Sequence, residues 1–333
     1  MITIQKAILH ILDFQAAMLL PSDQELSLED STLQFLLKHT EKAYMDQGAK
    51  NGVFYEDSVF QEQLKKYRQQ EVSFTELSRF VVETIFSALS HAEEMQSADV
   101  IVSQTLIEDI PWLVIFKCNN HQGFIHQVVQ LDSGLKNDII PHCAIMPSPS
   151  QKINEFAFIN LEDLSIKFSG PRYTIDGNQI YVFPELLLEC SHSVSPKEML
   201  KAVSKTAQKV AEEYGQNDVA AVTAVKSYIS ENIQESGALD PQEIGKSVFE
   251  GHPGMQSAYE EQILAAGIAA PVAIDRESTL KKMKNHKLKT DTGIELSIPL
   301  DYFHNTEYVE FTNNPDGTLS ITLKHILNLS NRI

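Results

Sequence analysis

The sequence predicts an α+β fold in two parts: helices packed on a mostly antiparallel sheet, then about four helices followed by a small β-sheet and hairpin. Three observations carry this. Strand-like and helix-like segments fall into blocks instead of alternating, which argues against a parallel βαβ array. Helix starts are marked by capping residues at 73–76 and 195–198. The last forty residues return to short alternating runs around a turn-rich pentapeptide, NNPDG at 313–317.

Residues 3–12 alternate loosely and read as a first strand. Residues 31–46 then place Leu33, Leu36, Leu37 and Tyr44 on one helical face, and Gly48 stops the helix. Ser73 and Glu76 form a capping box, after which Phe74, Leu77, Val81, Ile85 and Leu89 recur at three- and four-residue steps. Such a stripe is a core face. Residues 98–107, 112–118 and 123–131 are β-rich and separated by short polar turns, which predicts an antiparallel meander; 153–160 and 164–168 add strands. One helical layer is then expected to cover one face of this sheet.

Residues 191–196 read as the junction, dividing the chain into an acidic α+β domain at 1–192 and a helical domain at 193–333. Ser195 is a good N-cap, Pro196 suits the first helical position, and Gly215 ends the helix. Further helices are expected from 218 to 233, from Asp240 and Pro241, and from 255 to 266. Residues 294–298 alternate as a strand, and 308–311 with 319–323 form a hairpin around the NNPDG turn.

Composition narrows the function classes. The formal charge is −18, with 43% hydrophobic and 22% charged residues, an ordinary globular balance. The longest apolar runs, 16–20 and 112–116, are far too short to span a bilayer, and Asp13 interrupts the apolar N-terminal run. Cys118, Cys143 and Cys190 are odd in number and widely spaced, which fits packing residues in a reducing cytoplasm. No glycine loop for phosphate, HExxH, paired CxxC or GxSxG occurs, so no catalytic residue, metal or cofactor is expected. Two short pairings, His142 with Cys143 and Cys190 with His192, lack an orienting acid. The Asp291-Thr292-Gly293 triplet reads as a turn.

One segment stands apart. Residues 281–289, KKMKNHKLK, put five lysines and His286 into nine positions of an acidic chain. Lysines this close repel one another unless solvated or met by an anion. From 275 to 289 six Lys and Arg face two acids, whereas residues 1–195 hold 13 against 26. An anion site therefore belongs to the C-terminal half, with Arg276, Lys281, Lys282, Lys284, His286, Lys287 and Lys289 as candidate DNA contacts. Lys287 and Lys289, two apart, share one face of a strand. Lysine attracts phosphate without reading bases, so low specificity follows. Lys65, Lys66 and Arg68, on a short helix, form a secondary candidate patch.

The run from Ile274, Asp275 and Arg276 through Lys287, Leu288, Lys289, Thr290, Asp291, Thr292, Gly293 and Ile294 to Ile298 and Pro299 carries a resemblance. The closing Asp316, Gly317, Thr318, Leu319 and Lys324 fit it too, as do Ile8, Leu9 and His10, then Ala49, Lys50, Asn51, Gly52 and Phe54, and the helix after Ser73. On these motifs the chain, at 37.4 kDa, resembles the 37 kDa nucleoid-associated proteins of bacteria, the NdpA or YejK family. The resemblance implies a cytoplasmic protein located at the bacterial nucleoid, with no established enzymatic activity. It implies no agreed binding residues, so the lysines named above rest on charge alone. The expected partner is DNA, bound weakly and without sequence preference. An acidic adaptor recruited by nucleoid proteins is the alternative, a homodimer would double a weak phosphate patch, and no membrane contact is expected.

Overall fold

The computed structural model describes residues 1–233, 237–274, 279, 285–303, 305, 307–314 and 318–328. The chain divides into two compact units, Met1–Ser195 and Pro196–Ile333. The α+β class predicted from sequence is the class observed.

The first unit runs β1 (Ile2–Asp13), β2 (Met18–Leu20), α1 (Asp30–Tyr44), β3 (Lys50–Gly52), α2 (Val59–Arg68), α3 (Phe74–Leu89), β4 (Ala98–Ile107), β5 (Ile110–Asn119), β6 (His121–Leu131), β7 (Gly134–Ile145), β8 (Glu155–Asn160), β9 (Ile166–Ser169), β10 (Arg172–Ile175) and β11 (Asn178–Tyr181). A π-helical segment, Val182–Leu187, closes it. Seven strands form one sheet in the order β2-β1-β4-β5-β8-β9-β3, and every neighbouring pair is antiparallel.

Both faces of that sheet are buried. On one, Val100, Val102, Leu113, Ile115, Ala157 and Ile159 pack with Leu77, Val81 and Ile85 of α3. On the other, Ile101, Val114, Phe116, Phe156 and Phe158 pack with Leu36 and Ala43 of α1. The expectation of a single covered face is thus corrected to helix, sheet, helix. The cause is visible in β8, EFAFIN, whose six residues are all buried; alternation cannot mark a strand whose two faces are both core. The capping box at Ser73 is complete, with Ser73 Oγ accepting from Glu76 N–H and Glu76 Oε2 from Ser73 N–H.

The meander is also corrected. It ends at β5, whose second neighbour is β8, and β6 pairs instead with β7 as a separate two-stranded ribbon. Gln122, Gln127 and Gln130 of β6 would be buried without partners in a central strand, and β8 has no such residues within its apolar centre.

The second unit begins with α4 (Pro196–Glu213), α5 (Asp218–Asn232), β12 (Ala238–Leu239), α6 (Pro241–Val248), α7 (Pro253–Ala265) and β13 (Val272–Ala273). The predicted stops hold: Gly215 and Gly267 take φ of 67° and 75°, values that favour glycine. Gly245 of α6 lies directly against the Tyr259 ring of α7, where a side chain would collide. Then follow β14 (Asn285–Lys289), β15 (Glu295–Pro299), a helical turn at Leu300–Phe303, β16 (Val309–Asn313) and β17 (Leu319–Leu323). The last two strands are the predicted hairpin; residues 315–317 of its turn lie outside the described residues.

Candidate nucleic-acid interface

Strands β14 and β15 pair antiparallel, with Lys287 opposite Ser297, Leu288 opposite Leu296 and Lys289 opposite Glu295. Opposed residues share a face, so the period of two sorts this hairpin cleanly. Leu288 and Ile298 turn into a small apolar cluster with Phe303, Val309, Phe311 and Ile321. Lys287 and Lys289 lie on the other face and are exposed, as their spacing predicts. The turn between the strands is built by Thr290, whose Oγ1 accepts from Ile294 N–H, and by Gly293 at φ 88°. Asp291 Oδ1 accepts from Thr292 N–H there, which places the Asp-Thr-Gly triplet in an exposed turn.

The neighbouring strand tempers the charge. Lys289 Nζ lies 3.3 Å from Glu295 Oε1, both side chains largely exposed, a pair worth little in water. Within the described hairpin the two lysines face two acids, Asp291 and Glu295. The positive excess of this region therefore sits in Arg276, Lys281, Lys282 and Lys284, which lie outside the described residues. His286 belongs to β14, and nothing of its side chain is described.

The secondary patch has local partners. Lys66 Nζ pairs with Glu62 at 2.8 Å, one helical turn back, and Lys65 Nζ donates to Gln61 Oε1 at 2.9 Å. Arg68 Nη2 reaches the Glu162 carbonyl at 3.5 Å. All three cations occupy the last turn of α2, where they complement the negative end of the helix dipole. Their placement has a structural cause that requires no ligand.

Sequence reasoning missed the most demanding polar group in the first unit. Lys117, in the middle of the sheet, forms an ion pair with Glu155 at 3.0 Å, the two side chains 2% and 3% exposed. Lys117 Nζ also donates to Asn119 Oδ1 and to the Tyr173 hydroxyl, and Tyr173 in turn donates to Glu155 Oε2 at 2.7 Å. Asn119 Nδ2 donates to Glu155 Oε1. Burial, then the Glu155 charge, raises the Tyr173 hydroxyl pKa well above its usual value. Lys117, Asn119 and Tyr173 line a cleft of about 430 Å³ with Arg172, Glu93 and Glu94. An ammonium has three donors, and here all three are used. The cluster therefore clamps β5 to β8 and β10 and leaves Lys117 no spare donor for a substrate. Its one sequence signal is a lysine inside an otherwise apolar strand.

Burial closes the two described cysteines as candidates for chemistry. Cys118 and Cys190 are buried, and desolvation pushes both thiols up to about 12, the opposite of nucleophile activation. His192 packs edge-on to Tyr181 and Phe168. Cys143 has no described side chain. Among the described residues no group of three or more His, Cys, Asp or Glu could hold a metal ion.

The Ala49–Phe54 motif also has a packing cause. Ser193 and Ser191 N–H donate to the Asn51 and Val53 carbonyls, and the two serine hydroxyls accept from Asn51 and Val53 N–H. A Cβ at Gly52 would lie 2.7 Å from the Ser191 carbonyl oxygen, so only glycine fits there. Among the described residues no helix is long and apolar enough to cross a membrane.

Together these features describe an acidic two-unit α+β protein whose buried Lys117–Glu155 cluster is structural and whose densest run of cations leads in sequence into one C-terminal hairpin. A family model described as nucleoid-associated protein YejK matches residues 8–330. The chain belongs to that family of nucleoid-associated proteins. No individual curated protein matches it.

Proposed function

We propose that this chain acts at the nucleoid by contacting the DNA backbone weakly, without sequence preference and without catalysis, through residues 276–289. The observation that carries this reading is the sorted hairpin: Leu288 and Ile298 hold one face on an apolar cluster, which presents Lys287 and Lys289 together to solvent. Arg276, Lys281, Lys282 and Lys284 precede them in sequence and supply the greater part of the charge. Phosphate attraction by ammonium groups is non-directional, so the contact needs no built pocket. The acidity of the rest of the chain confines DNA to this face.

The test is fluorescence anisotropy of a random duplex with Lys287→Gln/Lys289→Gln. Glutamine is chosen because a glutamate at 289 would face Glu295 across the ladder and loosen the hairpin itself. Two lost phosphate contacts lower the salt slope of log K by about 2. An unchanged slope removes these lysines from the interface.

A second reading, an acidic adaptor held at the nucleoid by a basic partner protein, is favoured by the lysine-acid balance inside the described hairpin and by the excess of acids in residues 1–195. Its signature is recruitment lost on neutralising acids of the first unit and kept when the lysines are removed.

A further inference from the structure

A cleft of about 710 Å³ lies where β1, the end of α2 and the start of α3 meet. The charged residues that line it are Lys6, Arg68 and Glu25, two cations against one acid in a unit that is otherwise strongly acidic.

Lys6 reaches this cleft because β1 is irregular. Ile4 pairs with Thr105 and Lys6 with Gln104, so Gln5 is an extra residue, a β-bulge. Ile4 packs on the α1 side of the sheet and Ile8 on the α3 side. In an unbroken strand Lys6 would share the face of Ile4; the bulge turns it onto that of Ile8. There its ammonium lies 4.8 Å from the centre of the Phe74 ring and 5.5 Å from that of Tyr67. Among the described residues this half-buried lysine makes no hydrogen bond and no ion pair. Its three N–H donors are open to a ligand.

The neighbouring polar groups show which atoms remain free. Gln104 accepts from the Tyr67 hydroxyl and donates to Gln5 Oε1, which ties it into the bulge. Arg68 is exposed, and its one hydrogen bond among the described residues is the 3.5 Å contact of Nη2 with the Glu162 carbonyl. A guanidinium has five donors, so most of this one is unused. Val72, Pro111 and Leu161 add an apolar wall.

Two unpaired cations beside an apolar wall suit a dianion with an organic part, in a space of ordinary size for a small molecule. A phosphate monoester carries close to two charges at neutral pH. A duplex would bring many further phosphates against residues 1–195, where 26 acids face 13 cations. We propose that this cleft binds a small phosphate monoester, with its phosphate on Lys6 and Arg68 and its organic part along Val72, Pro111 and Leu161. The site lies in the first unit and is independent of the DNA contact at residues 276–289.

The test is isothermal titration calorimetry of the 333-residue chain with phenyl phosphate at about pH 7.5 and low salt. The expected dissociation constant is about 0.1–1 mM, with inorganic phosphate at least about tenfold weaker. Lys6→Met, which keeps an apolar stem over the two rings, and Arg68→Gln each weaken binding at least about tenfold. Glu25→Gln removes the opposing acid and tightens binding about threefold, a gain that misfolding cannot produce. No heat of binding up to about 20 mM phenyl phosphate overturns the proposal. So does an affinity unchanged by Lys6→Met, or one equal for inorganic phosphate, which marks an adventitious ion only. Displacement of phenyl phosphate by a random duplex assigns the cleft to nucleic acid and overturns it too.

Discussion

Histidine 10 makes the first unit acid-sensitive over a defined pH window. Its ring is fully buried between β1 and α3; Ser22 N–H donates to Nδ1 at 3.0 Å, so Nε2 carries the proton and donates to Ser78 Oγ at 3.1 Å. Ser78 passes the chain on to the Thr75 carbonyl. Burial first, then the Arg79 charge, lowers the His10 pKa from 6.5 to about 4. The unfolded chain therefore binds a proton that the folded chain refuses between those values, and stability falls as the pH drops through the window. Above 6.5 both states are neutral and the effect is absent; below 4 both are protonated and nothing further is lost. The displacement is worth about 3 kcal/mol in total. His10→Asn keeps an acceptor for Ser22 and cannot titrate. Urea unfolding followed by Trp112, the single tryptophan and a core residue of the same unit, reads both proteins from pH 7 to 4. Wild type should lose about 3 kcal/mol more than His10→Asn across this window. Parallel stability curves would refute the assignment of the neutral tautomer and its burial cost.

Two further perturbations act on packing. Lys117→Met leaves Glu155 buried without its counter-charge and should cost about 3–5 kcal/mol in urea unfolding, while Lys117→Met/Glu155→Leu recovers most of that loss. Equal destabilisation by the single and double variants would contradict the pairing. Gly245→Ala pushes a methyl into the Tyr259 ring and should destabilise the second unit by about 1–3 kcal/mol, read by the loss of its helical signal on heating. An unchanged melting temperature would show that α6 and α7 separate at little cost.

Local chemistry made much of this fold legible. The Ser73 capping box, the Phe74 to Leu89 stripe, the glycine stops after α4 and α7 and the closing hairpin are each written within a few residues. Non-local pairing was not. Nothing near β5 says that its neighbour is β8 and not β6, because that choice depends on which strand can bury both faces. Lys117, Glu155 and Tyr173 are separated by 38 and 18 residues and meet only through that pairing. The candidate interface divides the same way. The shared face of Lys287 and Lys289 follows from spacing, whereas the Glu295 opposite Lys289 follows from a turn register that spacing alone does not fix.

A lysine-led contact with the DNA backbone is read from its salt dependence. Binding of the chain to a random duplex is measured from about 50 to 200 mM salt, for wild type and for a folded variant with Lys281, Lys282, Lys284, Lys287 and Lys289 changed to Gln. Six phosphate contacts, Arg276 included, predict a loss of about a thousandfold in affinity for wild type over that range and near-complete loss of binding in the variant. Absence of binding by wild type at the lowest salt, or binding that the variant retains, would contradict it.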